Sequence, residues 1–164
     1  MRVPSAPPDP SPAAARVLAL RWLAARELTA AQVRLRLRRR QFPPEAIDEA
    51  IAGLQADGLL DDRRAAEARA RHETTIRRRG RHRVLRQLQA IGVDPETAER
   101  AVAGVFADVD EDRQIADAIA RRLRGSPIPA DPRDRARLAR WLLAQGFDGD
   151  RIRRALEKHG RPGR

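Results

Sequence analysis

Ten arginines fall between Arg63 and Arg86: Arg63, Arg64, Arg69, Arg71, Arg77, Arg78, Arg79, Arg81, Arg83 and Arg86. Only Glu67 and Glu73 oppose them, so the segment carries a local charge of +8. A guanidinium is planar, permanently charged and carries forked donors that match the oxygens of phosphate or carboxylate. The stretch from Asp94 to Asp112 has the opposite sign, with seven acids against Arg100 and a local charge of −6. Neighbouring stretches of opposite sign can orient a protein on a charged lattice. The chemistry on offer is recognition of anionic groups. The plain alternative for the cluster is a solvated, arginine-rich face. The run Arg77-Arg78-Arg79-Gly80-Arg81-His82-Arg83 leads into a helix whose first N–H groups could add to anion binding; its plain alternative is a connector kept soluble by charge.

Other basic groups carry a weaker signal. Arg34, Arg36, Arg38, Arg39 and Arg40 share a helical stretch with Val33 and Leu37. They read as a solvated face whose aliphatic stems cover the core. Arg133 and Arg137 are four residues apart and share a face. With Arg140, Arg151, Arg153 and Arg154 they form a third basic group, for which Asp134 and Asp150 are candidate partners. Trp22 and Trp141 could stack bases only if exposed; Trp141 lies on an apolar stripe and reads as core.

Bond-making chemistry is poorly supplied. Cysteine and tyrosine are absent, and so is asparagine. Ser5, Ser11 and Ser126 all lie near proline in segments that read as loops. His72, His82 and His159 lack metal-ligand spacing. Asp61 and Asp62 read as a helix cap at a repeat junction rather than an acid–base pair. No glycine-rich phosphate loop occurs. The expectation is a protein without catalytic residues, metal or cofactor.

The whole chain of 164 residues has a formal net charge of +11, which favours polyanions or acidic protein surfaces as partners. Of its 34 basic residues only Lys158 is a lysine. Alongside abundant Ala and Pro, this resembles a GC-rich coding bias that inflates the arginine count. No apolar run approaches the roughly 20 residues of a membrane span. Met1 to Pro12 is proline-rich and lacks the basic-then-apolar order of a secretory signal. The expected setting is the cytoplasm, with no membrane partner.

From Ala13 onward the periodicity is helical, and no stretch alternates with period two, so no strands are expected. The chain also repeats itself. Val33, Val84 and Leu138 correspond, as do Leu37, Leu88 and Leu142; Phe42, Val93 and Phe147; Ile47, Ala98 and Ile152; Ala50, Ala101 and Ala155; and Ile51, Val102 and Leu156. A period near 50 residues marks a stacked helical array. Phe42, Val93 and Phe147 each stand five residues before an apolar partner, the spacing of a hydrophobic staple. Pro44 and Pro95 suit the first helical position, Asp94 and Asp148 suit caps, and Gly92 and Gly146 suit left-handed helix ends. Gln41 takes the equivalent place in the first unit, less comfortably. Thr29-Ala30-Ala31-Gln32 spells a capping box, with Leu28 and Val33 as a staple. The earlier helix of each unit is expected at Ala14 to Arg26, from Asp61 or Asp62 to about Arg78 with Gly80 as its breaker, and at Glu111 to Arg124. Asp131-Pro132 starts the next.

The expected fold is all-α: three tandem three-helix repeats forming an elongated, modular, slightly curved array. Its divisions are a disordered proline-rich lead at 1–12 and repeats at 13–60, 61–109 and 110–160, the second being the basic one. Such an array fills its own apolar stripe, so a monomer is expected.

These residues resemble the RecX family of RecA regulators. Ala15 to Asp62 looks like the family's first repeat. Gly58-Leu59-Leu60-Asp61-Asp62-Arg63-Arg64 is similar to its most characteristic stretch, followed here by Ala65-Ala66 where the family carries Phe-Ala. Arg77 to Arg81, with Val84, Leu85, Leu88 and Gly92-Val93, looks like the start of the central repeat's second helix. The resemblance covers about Ala14 to His159. It implies an all-helical protein, not an enzyme, that binds the RecA–DNA filament along its groove and bridges protomers, restraining ATP hydrolysis, filament growth and strand exchange. The residues also admit a non-sequence-specific DNA-binding module with helix-turn-helix-like repeats. Without asparagine and with few glutamines, that module would contact phosphates weakly rather than read bases.

Overall fold

The computed structural model describes residues 9–158. The first eight residues of the proline-rich lead, and His159, lie outside them. Among the described residues there are helices and no strands: α1 (Pro12–Leu23), α2 (Ala30–Arg39), α3 (Pro44–Ala56), α4 (Asp62–Thr75), α5 (Arg81–Ala90), α6 (Pro95–Phe106), α7 (Glu111–Leu123), α8 (Pro132–Gln145) and α9 (Gly149–Lys158). The architecture is an all-α array of three-helix repeats. Its contacts gather into two compact units. One draws on the chain up to Ala68 together with Leu88–Ala98; the other draws on Arg69–Gln87 together with the chain from Glu99 onward.

In the first unit α1, α2 and α3 close over Ala15, Ala19, Leu28, Val33, Leu37, Ile47 and Leu54. Local chemistry starts each helix. The Ser11 hydroxyl accepts the Ala14 N–H at 3.2 Å. Thr29 and Gln32 complete the capping box reciprocally, each backbone N–H donating to the other's side chain at 3.1 Å. The Ala30 N–H, a further orphan of this helix start, donates to the Asp62 carboxylate at 2.7 Å. Pro43 offers α3 no side-chain acceptor. There the buried staple of Phe42 and Ile47 and the preset φ of Pro44 set the entry instead. Asp61 caps α4, accepting the N–H groups of Arg63 and Arg64 at 2.9 and 3.1 Å.

In the second unit α7, α8 and α9 enclose Ile115, Ile119, Leu138, Leu142, Phe147, Ile152 and Leu156. Asp110, Asp131 and Asp148 each accept the N–H three residues on. Asp94 does the same for α6, accepting from Thr97 at 2.9 Å. All the apolar positions that correspond between repeats are buried except Ala155, which is half-buried. The period-near-50 pattern therefore marks interior side chains.

Two helix ends differ from the sequence expectation. α1 stops at Leu23 rather than Arg26. α4 stops at Thr75, before Arg78. Beyond it the Arg77 N–H reaches back to the His72 carbonyl at 3.2 Å and the Arg79 N–H to that of Glu73 at 2.9 Å. Arg78 adopts φ 53°, in the left-handed region. The reversal thus occurs at Arg78, and Gly80 has a different task.

Gly80 meets the turn that follows α8. A Cβ on Gly80 would lie closer than 3.0 Å to the Gly146 carbonyl and the Phe147 nitrogen, and one on Gly146 equally close to the backbone of Arg83. The first unit holds a counterpart at corresponding repeat positions. There the Thr29 hydroxyl donates to the Ile91 carbonyl at 2.7 Å. A Cβ on Gly92 would fall on the Ala31 methyl. In both places the turn after a repeat's second helix is pressed against the start of the preceding repeat's second helix. Gln41, at φ 63°, shares the left-handed turn of Gly92 and Gly146. Gln41 is exposed to solvent, so a side chain is admissible there.

Candidate functional site

The ten arginines do not form one equivalent set. Arg63 and Arg64 belong to the first unit, the other eight to the second. Arg64 is committed to structure: its Nε donates to the Glu27 carboxylate at 2.6 Å and its terminal nitrogens donate to the carbonyls of Gly58 and Leu59. Hydrogen bonding to Glu27, then its charge, raises the Arg64 pKa. Arg63 is far more open, with Glu67 on the next turn at 3.9 Å.

In the second unit four arginines knit the fold. Arg69 lies 2.9 Å from Glu73, a carboxylate only 4% exposed. Arg79 donates to the Gln145 side-chain oxygen. Burial lowers the Arg79 pKa, helped by the charges of Arg83 and Arg77 and opposed by Glu73. Arg83 donates to the Ala144 carbonyl at 3.0 Å. Arg79 and Arg83 thus both reach the C-terminal end of α8, where the helix dipole favours cations. Arg81 stacks over the Phe106 ring at 5.2 Å and stands 3.8 Å from Glu111.

The remaining four, Arg71, Arg77, Arg78 and Arg86, are exposed. Among the described residues none of their guanidinium groups makes a hydrogen bond or ion pair. They lie along one continuous piece of chain: the last turns of α4, the 76–80 loop and the first turns of α5. These are the donors free to meet an outside anion.

The start of α5 is not free in the same way. The Gly80 and His82 N–H groups donate to the carbonyls of Gln145 and Gly146 at 3.0 and 3.1 Å. The expectation that this helix start supplies anion-binding N–H groups is corrected accordingly: the turn after α8 already occupies it.

The other basic stretches are mostly paired or open to solvent. Arg34 is bonded to Asp48. Arg36 lies over the Trp22 ring at 5.5 Å, and Arg38, Arg39 and Arg40 are exposed. Arg137 pairs with Asp134 at 2.7 Å and Arg153 with Asp150 at 3.1 Å. Arg151 instead reaches Asp112 at 2.7 Å. Trp22 and Trp141 pack against the two cores. Sequence reasoning missed Glu73 as a buried counter-charge, although its four-residue spacing from Arg69 was visible. It also missed Gln145, whose partner Arg79 is 66 positions away and leaves no local signal.

Comparison with known proteins fixes the family. Residues 15–54 match the description "RecX, first three-helix domain" and residues 110–156 match "RecX, third three-helix domain". The chain is 33% identical over 144 residues to a regulatory protein RecX of Trichlorobacter lovleyi, covering 85% of this chain and 92% of that one. The chain belongs to the RecX family. A RecX of Halorhodospira halophila is 34% identical over 148 residues, covering 87% of this chain and 86% of that one. The crystal structure of RecX from Lactobacillus salivarius superposes with a TM-score of 0.70 over 90% of this chain and 95% of that one, at 22% identity. A second RecX crystal structure gives 0.75 over 89% of this chain and 73% of that one, at 19% identity. At such identities the likeness is one of fold. The two RecX domain matches contain the two capped three-helix cores described above. No described helix is long and apolar enough to cross a membrane.

Proposed function

We propose that this RecX protein binds RecA–DNA filaments and restrains their ATP hydrolysis, extension and strand exchange, using Arg71, Arg77, Arg78 and Arg86 as principal contacts and Arg63 as a further one. The observation that carries the reading is the set of unpartnered guanidinium groups on one helix–loop–helix of a chain in this regulatory family. Exposed cations with no internal counter-charge are available to carboxylates or phosphates on a polymer. Further exposed arginines, including Arg38, Arg39, Arg40 and Arg140, allow additional weak contacts, which add through effective concentration when the target repeats itself. A ligand that prefers one filament conformation shifts the equilibrium by its differential affinity and needs no chemistry of its own. The repeat bounds 13–60, 61–109 and 110–160, a monomeric state and a cytoplasmic setting belong to the same proposal.

The test is co-sedimentation with RecA–ssDNA–ATP filaments across a salt series, beside the same series without RecA, together with the DNA-dependent ATPase. The expected result is filament binding at physiological salt, ATPase inhibition at substoichiometric ratios, and weakening of both by joint replacement of Arg71, Arg77, Arg78 and Arg86 with Ala. Binding to bare DNA that survives physiological salt, with no binding to RecA, would replace this reading with the DNA module.

A further inference from the structure

Among the exposed large hydrophobic side chains Ile76 stands out, at 68% exposure. It follows the last residue of α4 and precedes Arg77 and Arg78, both exposed and unpartnered. One isoleucine in solvent signifies little by itself. This one sits on a backbone that is tied down. Ile76 and Arg77 both donate their N–H to the His72 carbonyl, at 3.0 and 3.2 Å; Arg79 donates to that of Glu73 at 2.9 Å, and Gly80 to that of Gln145 at 3.0 Å. The Glu73 carboxylate is buried and holds Arg69. Arg78 keeps a left-handed φ of 53°, a conformation that costs a residue with a Cβ and persists when its flanks are fixed. One apolar and two cationic side chains are therefore presented to solvent from a loop pinned on both sides.

We propose that Ile76, Arg77 and Arg78 form a preorganised docking knob for a protein surface in which an apolar recess is bordered by carboxylates. The proposal rests on the filament reading above and deepens it: at this loop the partner is protein rather than nucleic acid. A phosphate backbone rewards the two cations and gives the isoleucine nothing to bury against. A recess in a protein takes the apolar side chain at its centre and the guanidinium groups at its rim, the arrangement common to energetically dominant interface positions. Holding the loop in one conformation before contact lowers the ordering cost of binding.

The experiment uses the full chain and measures affinity by fluorescence anisotropy for two targets. One is RecA–ssDNA filaments held with a non-hydrolysable ATP analogue; the other is the same oligonucleotide bare. Ile76→Ser is expected to weaken filament binding about tenfold and to leave bare-DNA affinity unchanged. Ile76→Leu is expected to regain most of the loss, and Arg77→Ala/Arg78→Ala to weaken filament binding with a reduced salt dependence. Filament binding by Ile76→Ser equal to that of the unsubstituted chain overturns the inference and leaves the filament reading standing. Equal losses on both targets also overturn it, in favour of contact with nucleic acid. Failure of the unsubstituted chain to bind filaments at any salt concentration overturns the filament reading and the inference together. Ile76 is exposed, so these variants are expected to keep the helical circular dichroism of the parent.

Discussion

The turn at Ile91–Gly92 pressed on Thr29–Ala31, and the turn at Gln145–Gly146 pressed on Gly80–Arg83, are one docking geometry built from two chemistries. In the first, a buried threonine closes its own capping box and donates its hydroxyl across to Ile91. Asp62 takes the next N–H. In the second there is no hydroxyl. Gly80 lets the backbones meet, and its N–H and that of His82 are given to the facing carbonyls. Arg79 and Arg83 supply the side-chain bonds. The lesson is that close approach demands glycine in the turn, while the orphan donors of a helix start can be satisfied by its own side chains or by the partner's carbonyls. The second solution also recruits arginines that the sequence presents as part of an anion-binding cluster.

Substitutions at the turn glycines break the comparison hardest. Gly146→Ala places a Cβ against the Arg83 backbone, and Gly80→Ala places one against Gly146. Each is expected to destabilise the protein by about 3 kcal/mol, the upper range for overpacking, read as a lowered urea midpoint. Gly92→Ala meets chiefly the single Ala31 methyl, and about 2 kcal/mol is expected. Gln41→Gly tests the same turn without a docking partner: stability is expected to change by less than about 1 kcal/mol. A gain at Gln41→Gly as large as the loss at Gly146→Ala would show that φ, and not close approach, selects the glycines.

The threonine junction is sharpened by Thr29→Val, which keeps the shape and removes both bonds of the hydroxyl. A loss of about 1–2 kcal/mol is expected in thermal or urea unfolding. If the change is neutral, capping by Gln32 and Asp62 alone sustains that junction.

The division of the arginines gives a smaller effect on stability and a larger one on binding. Arg77→Ala/Arg78→Ala is expected to leave stability within about 0.5 kcal/mol, as is usual for surface changes, while weakening filament binding. Arg79→Ala/Arg83→Ala is expected to lower the melting temperature by removing the side-chain bonds of the second junction. The reverse assignment of effects would undo the split between tying and free arginines.

The smallest expected effect comes from pH. The Arg64 and Arg63 N–H groups, aided by the charges of those residues, hold the Asp61 carboxyl below its ordinary pKa. The Arg151 and Asp150 N–H groups, with the charges of His82 and Arg151, do the same for Asp148. A carboxyl whose pKa is depressed on folding adds stability above the ordinary carboxylate value of 3.8, and that stability is lost as pH falls through the folded value. The melting temperature is therefore expected to decline below about pH 4. Asp61→Asn and Asp148→Asn should each flatten that decline slightly, since both carboxylates are largely solvated. A decline that begins near neutrality would point to another group.

The residues themselves determined the all-α class, the repeat and its interior positions. Capping boxes, staples and proline starts are local, and a side chain three or four residues away satisfies them whatever the rest of the chain does. That is why Thr29, Asp94, Asp131 and Asp148 could be read directly, while the residues left the cap of α4 between Asp61 and Asp62 and the structure gives it to Asp61. The anion-recognising region was legible as a charge cluster between Arg63 and Arg86, but not its sorting. A lone guanidinium looks the same in sequence whether it reaches a carbonyl 61 positions away, as Arg83 does, or faces water, as Arg77 does. Only the tertiary structure could separate the two, because the acceptors that claim Arg79, Arg81 and Arg83 are brought to them by folding. The same holds for Gly80: its sequence neighbours suggest a helix breaker, and its function as a contact point exists only once the turn after α8 arrives.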